Sequence, residues 1–323
     1  MFRELIARSV HDLDRLKSRW EQLLAPGHSI FQTFAWSRLA VAMFAATALP
    51  YIVAAESDSS AAIIPAALMA GGTCVGLLGE ALFDYRDILS AGDETAQRSA
   101  WSSVAGLHLP LSFYSLRGAS SQQRWSEFEP KFFCNSLYAN PSDMNADVYR
   151  QHHSRLASRT RRLRRKGIEL HRYNGSDSTV IRTIYEKKSQ QPTPQGNLFV
   201  DPRRREFMVQ VAAADPAACE VFTYETAGEL VAALVTFRHQ EMRHLYTVYY
   251  DVRWADLSPG QLIVYEVTAL SLADGLTCDF MTGEYPYKAR VSTGSVPLYR
   301  VTTTPETLSA IASGNVETSP IAA

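Results

Sequence analysis

The chain is poor in the features that would tie it to a special environment. Cysteine is scarce: four in 323 residues (Cys74, Cys134, Cys219, Cys278), far apart and without metal-ligand spacing. A disulfide framework is therefore not expected. Cys74, Cys219 and Cys278 sit in or beside apolar, strand-like runs and read as buried free thiols in a reducing compartment. Long hydrophobic runs are also lacking. The most apolar window, "LAVAMFAATALPYIVAA", is interrupted by Pro50, and "SAAIIPAALMAGGTCVGLLG" is too rich in Gly and Pro to span a membrane as a helix. The first residues, "MFRELIARSV", alternate like a strand and show no hydrophobic core of a signal peptide, so a cytoplasmic protein without a membrane span is expected. Net charge is −1, which gives no overall attraction to nucleic acid. His152 and His153 are adjacent, so they point to different helix faces; no metal is expected.

What remains is ordinary globular material, 46% apolar and 20% charged, long enough for one large core or two modest domains. The first part reads as mixed α/β: a strand at 2–7, a helix over "HDLDRLKSRWEQLL", a second over "QTFAWSRLAVAMFAA", three short strands ("YIVAAES", "SAAIIPAALM", "TCVGLLG") and a helix over "ETAQRSAWSSVAGL". Around 120–145 the sequence turns polar and irregular, which places a boundary there: one domain at 1–140, another at 141–323. A single long helix is expected over "ADVYRQHHSRLASRTRRLRRKG", closed by Gly167 at C′. "IELHRY" and a further helix lead to "QQPTPQGN", an exposed loop by composition. Asp201-Pro202 then caps and opens a helix. "CEVFTYE", "ELVAALVTF" and "RHLYTVYYD" form an antiparallel meander, followed by the helix "GQLIVYEVTALSLADG" and the strand "LTCDFM". Between the third strand and that helix stands Ser258-Pro259-Gly260. Such a corner converges free amides and the positive end of a helix dipole, as phosphate sites do.

That order and its corner resemble the core of GNAT-type acyltransferases. The more specific resemblance is to the cellulose-biosynthesis-type acetyltransferase-like proteins (the CelD/BcsL group), relatives of the FemAB peptidyltransferases with two such domains in tandem. It is carried by "FQTFAWSRLAVAMF", "LLGEALFDYRDIL", "SRTRRLRRKG", "GELVAALVTFRHQEMRHLYTVYYDVRWADLSPGQLI" and "DFMTGEYPYKAR", in the family's order along most of the chain. The resemblance implies an α/β (α+β) fold of tandem GNAT-like domains, each a mixed, mostly antiparallel sheet flanked by helices. Two departures stand out. Aligned on Gly260, the usual Arg/Gln-x-x-Gly-x-Gly/Ala loop is Ala255-x-x-Ser258-Pro259-Gly260 here. The first half has no such loop, so it reads as a duplicated fold that has lost its own cofactor site.

The resemblance implies acyl transfer from acetyl-CoA or another acyl-CoA to an amine or hydroxyl, on a polysaccharide or glycolipid precursor. Tyr249, Ser258, Pro259, Gly260, Gln261 and Leu262 would form the donor site; an ordinary helix start capped by Ser258 is the plain structural alternative. Asp251 is the candidate general base, against a turn aspartate bonding its own backbone. Glu284 and Tyr287 would assist, Tyr287 by protonating a departing thiolate, and Lys288 would hold an anionic acceptor. The basic helix (Arg155, Arg159, Arg161, Arg162, Arg164, Arg165, Lys166) is a solvated face or a surface for a nucleotide sugar, a lipid-linked phosphate or RNA, with Arg161, Arg164 and Arg165 as the contacts. Glu266 reads as a surface residue. In the first half Trp36, Glu80, Asp84, Tyr85 and Asp87 stand in matching blocks, with Trp36, Asp84 and Tyr85 as candidate acceptor contacts. Two other functions stay open: FemAB-like transfer from aminoacyl-tRNA, and a non-catalytic scaffold in polysaccharide biosynthesis.

Overall fold

The computed structural model describes residues 3–79, 81–117, 125–192 and 196–315. They fall into two compact units, one holding the residues up to Cys134 and those from Pro297 onward, the other Asn135–Val296. Each unit is mixed α/β with a largely antiparallel sheet, as expected. Among the described residues no helix is long and apolar enough to cross a membrane.

The first unit opens with β1 (Arg3–Ala7), α1 (Val10–Asp14), α2 (Lys17–Leu23), α3 (Phe34–Phe44), β2 (Leu49–Glu56), β3 (Ser60–Met69), β4 (Cys74–Leu77), β5 (Leu89–Gly92), α4 (Thr95–Ala105) and β6 (Leu111–Arg117). One helix expected over 11–24 is two, because the Arg15 and Leu16 amides tighten onto Asp12 and Leu13 and end α1. The strands run β1–β2–β3–β4–β6, with β5 also paired to β3. All described neighbours are antiparallel except β4 and β6, which meet in parallel at Val75 and Leu111. Trp20 closes the core on one face, its indole N–H donating to the Gln32 carbonyl at 2.7 Å.

The chain continues through β7 (Lys131–Ala139) into the second unit: α5 (Ala146–His152), α6 (Ser154–Arg165), β8 (Glu169–Asn174), α7 (Ser178–Ser189), α8 (Pro202–Ala214), β9 (Cys219–Thr226), β10 (Glu229–His239), β11 (Met242–Tyr250), α9 (Pro259–Ala273), β12 (Thr277–Asp279) and the short α10 (Pro286–Ala289). The single helix expected over 146–167 is broken at His153, whose ψ of 35° leaves the helical region and whose ring packs on Tyr149 and Tyr265. Gly167 ends α6 with φ +71°, as a C′ glycine. Asp201 caps α8 as expected, accepting from the Arg203 amide at 2.9 Å. The chain then leaves through β13 (Gly294–Thr303), of which Leu298–Thr303 pair with β6 in the first unit, and α11 (Pro305–Ser313), where the Ile311 carbonyl accepts from Arg98 of α4 at 3.1 Å. The sequence reading ran the second domain on to 323; this return carries no compositional mark. The cysteines form no disulfide with one another, and Cys219 and Cys278 are buried while Cys74 is half-buried rather than buried.

The second sheet runs β7–β12–β11–β10–β9–β8. Its meander turns use left-handed residues, Ala227 and Gly228 in one and Gln240 in the other. β11 and β12 pair in parallel over only three positions, Met242–His244 against Thr277–Asp279. Immediately beyond, Tyr246 is an extra residue on β11: Thr247 faces Val235 while Leu245 faces Thr236. A bulge of this kind bends the strand and raises its twist, and β12 ends at Asp279, so the rest of β11 runs on without β12 beside it. The junction is pinned by buried polar groups. His244 Nδ1 lies 3.2 Å from Asp279, which also accepts from Ser136 and from the Met281 amide. Arg243 bonds Glu220 at 2.8 Å and the Ser271 hydroxyl at 2.8 Å.

Tyr149, Tyr185 and Tyr224 are fully buried and donate to the Val291 carbonyl, pair with Thr247 and donate to Glu266, respectively. Burial pushes all three hydroxyls far above the ordinary tyrosine value of 10.0. A raised folded-state value leaves stability intact below the unfolded value and removes it above. Stability should therefore be lost as pH climbs past 10. In an alkaline titration followed by tyrosinate absorbance, these three should ionise only as the fold is lost.

Candidate functional site

Beside the part of β11 that the short β12 does not cover lies a cleft of about 340 Å³, lined by Lys188, Val248, Tyr250, Ser258, Gly260 and Tyr287 among others. α9 starts at its wall. Ser258 sits in the left-handed region (φ +53°) with no side-chain cap bond, its amide donating to the Ala255 carbonyl at 2.8 Å. Capping by the Ser258 hydroxyl, the plain alternative, is thus absent. Pro259 occupies the first turn without an N–H. The Gln261 and Leu262 amides donate to the Ser258 carbonyl at 3.1 and 3.2 Å, which leaves Gly260 to supply the first-turn amide toward a ligand. A Cβ on Gly260 would lie 3.0 Å from the Tyr250 ring, so glycine is what lets that ring rest against the corner.

Of the donor residues expected from sequence, Ser258, Gly260 and Gln261 line the cleft. Leu262 and Tyr249 are buried, and Leu262 belongs to the core of the second unit. Tyr287 also lines it, its hydroxyl pushed up to about 12 by burial, so it keeps its proton at neutral pH. The other expected chemical groups do not reach the cleft lining. Asp251 caps a short 3₁₀ turn (Val252–Leu257), accepts from the Arg253 amide at 2.9 Å and ion-pairs with the Arg253 guanidinium at 2.7 Å. That side-chain bond holds its carboxyl below the usual carboxylate range, the reverse of what a base working at neutral pH needs. Glu284 is exposed and accepts from Asn135 at 2.7 Å. Lys288 is buried, donates to the Thr282 carbonyl at 2.6 Å and lies over the Tyr285 ring, so its charge is turned inward.

Three groups at the cleft escaped the sequence reading. Tyr250, next to the expected Tyr249, lines the cleft beside Gly260. Lys188, at the end of α7, donates to the Val248 carbonyl at 2.8 Å, and burial pulls its ammonium below the ordinary lysine range. Gln191, from the stretch read as an exposed loop, donates to the Tyr250 carbonyl at 2.6 Å. Glu266, read as a surface residue, accepts from Tyr224 at 2.5 Å and ion-pairs with Arg164. That pairing withdraws Arg164 from the set of polyanion contacts; Arg159 is likewise tied to the Leu257 carbonyl. Arg161 and Arg165 are exposed and have no carboxylate partner among the described residues.

In the first unit the expected acceptor contacts are core or near-core residues. Trp36 is buried with its ring edge-on to Phe31 and Phe83. Tyr85 is buried beneath the Arg117 guanidinium. Asp84 is half-buried. Asp87 is buried and accepts from the Trp125 indole and the Ile88 amide, both at 2.8 Å. Glu80 lies outside the described residues. The nearby cavity, lined by Phe31, Phe83 and Tyr85 among others, has a volume of about 10 Å³.

Two variants test these assignments. Asp87→Ala strands a buried indole N–H and should lower stability by about 1–3 kcal/mol in urea unfolding. Asp251→Ala should lower it by about 1 kcal/mol through the lost cap, while ligand binding in the cleft stays within twofold of wild type.

Residues 150–289 match the family model of the acetyltransferase (GNAT) domain. No curated protein matches the sequence. Among solved structures, the C-terminal domain of a putative lysylphosphatidylglycerol synthetase from Agrobacterium fabrum is 11% identical at a TM-score of 0.60, covering 95% of this chain and 100% of that one. FemX is 8% identical at 0.55, covering 96% and 99%. A tandem GNAT protein from the clavulanic acid biosynthesis pathway is 9% identical at 0.53, covering 94% and 99%. At these identities the likeness is one of fold. The cleft thus stands in a segment that matches the GNAT acetyltransferase family, within a chain whose fold is that of tandem GNAT and FemX-like proteins.

Proposed function

We propose that the second unit transfers an acyl group from acyl-CoA to an amine or hydroxyl acceptor on a polysaccharide or glycolipid precursor. One observation carries the reading: β12 ends after three residues paired with β11, and the helix that follows β11 starts beside the uncovered edge, with Gly260 in the cleft lining. An extended arm bearing amides can pair with an open strand edge as an added strand does. The pyrophosphate beyond it would meet the Gly260 amide and the positive end of α9. Attack by the acceptor forms the new C–N or C–O bond and breaks the C–S bond. The departing thiolate leaves beside Tyr287, whose retained proton can be donated to it, while the acceptor's proton passes to solvent through the open cleft. Acetyl-CoA at a hundredfold excess over its dissociation constant should stabilise the protein by about 2.7 kcal/mol. Gly260→Val pushes against Tyr250 and removes room at the corner; it should abolish that shift and lower the ligand-free melting temperature by only a few degrees. A wild-type protein indifferent to coenzyme A and its common thioesters overturns the reading and favours a scaffold.

A second reading, FemAB-like transfer from aminoacyl-tRNA, is favoured by Arg161 and Arg165 on α6, exposed and without a carboxylate partner among the described residues. Tight binding of charged tRNA, with a salt dependence that flattens in Arg161→Glu/Arg165→Glu, would support it over the first.

A further inference from the structure

The edge on which the donor reading depends is already in use. The Asp251 amide donates to the Val231 carbonyl of β10 at 2.9 Å. Strand alternation then turns the backbone groups of Tyr250 and Val248 the other way, toward the cleft. Both of their carbonyls are engaged. Lys188 Nζ donates to the Val248 carbonyl at 2.8 Å and Gln191 Nε2 to the Tyr250 carbonyl at 2.6 Å, with Lys188 also donating to Gln191 Oε1 at 3.2 Å. The two side chains are held from behind. Asn197 Nδ2 donates to the main-chain carbonyls of Lys188 at 2.6 Å and Gln191 at 2.9 Å, while its Oδ1 accepts from the Phe199 amide at 3.0 Å. Lys188 is half-buried, and its described partners are neutral oxygens, so a cation is held in the cleft by one backbone and one side-chain amide oxygen rather than by a carboxylate.

We propose that Lys188 and Gln191 are donor-selecting residues: they occupy the two β11 carbonyls that the amides of a pantetheine arm would use, so a thioester donor enters only by displacing them. The inference rests on the acyl-CoA reading of the same cleft. The competition is local to two acceptors, so it acts on the arm and not on the nucleotide end. A donor that offers no N–H to these carbonyls meets no such competition there. Lys188 is also a cation in the same cleft lining as the corner, and a simple electrostatic role would make the opposite prediction: its removal would weaken the hold on phosphates.

The test is binding of acetyl-CoA and of acetyl-pantetheine, which lacks the nucleotide, measured by calorimetry on wild type, Lys188→Met/Gln191→Ala and Asn197→Ala. Release of two hydrogen bonds, each worth about two- to tenfold in an equilibrium constant, should tighten both ligands in the double variant by at least about fivefold. Asn197→Ala, which leaves the cleft lining untouched, should shift both in the same direction by less. If wild type binds acetyl-CoA and the double variant binds it equally or more weakly, the inference is overturned while the acyl-donor reading stands. If neither ligand binds wild type or either variant, the acyl-donor reading falls and the inference with it.

Discussion

A three-residue parallel pairing shapes the unit that holds the cleft. Had β12 run on beside β11, the edge at Val248 and Tyr250 would be covered and the cleft filled. β12 ends instead at Asp279, opposite His244, and β11 carries a bulge at Tyr246 just beyond. Such a short junction needs support, and it gets it from groups that are expensive to bury. Arg243, Glu220, His244 and Asp279 are all desolvated there, which is favourable only because each finds its partners. The network fixes where the strands part more than it adds to stability. From that fixed point, the orientation of α9 and the exposure of the β11 edge follow.

The first unit carries the same device and puts it to another use. β4 and β6 also meet in parallel, over a single bridge. Beyond β4, however, Phe83 and Tyr85 fold back against Phe31 and Trp36, and β5 lies down on β3. Aromatic side chains fill the space that a divergent strand pair tends to leave. One topology thus yields a ligand-sized cleft in one unit and a water-sized void in the other, according to what the chain does just after the parting strand.

Much of this was legible from residue order. Strand alternation and the turns at Gly228 and Gln240 fixed the meander, and Asp201-Pro202 and Gly167 marked helix ends, because these signals act within a few residues. The break at His153 was not legible: apolar spacing runs on through it, and the ring is turned by Tyr265 more than a hundred positions away. The site shows the same division. Ser258, Gly260 and Tyr287 belong to a local motif and stand in the cleft. Asp251 and Lys288 look like reactive groups in one dimension, yet Arg253 takes one and the Thr282 carbonyl the other. Lys188 and Gln191 lie about sixty residues from the carbonyls they hold. A lysine and a glutamine at a helix end carry no mark of that.

The return of β13 and α11 to the first unit bears on how the protein is made. The second unit is a continuous stretch and has every strand of its own sheet once residue 296 has been synthesised. The first unit begins earlier but lacks a strand beside β6 and a helix beside α4 until residues 297–313 emerge. On the ribosome, then, the segment translated first is the one finished last. Through that interval the flank of β6 that will receive β13, and the apolar side of α4, are left uncovered and open to chaperones or to a wrong strand.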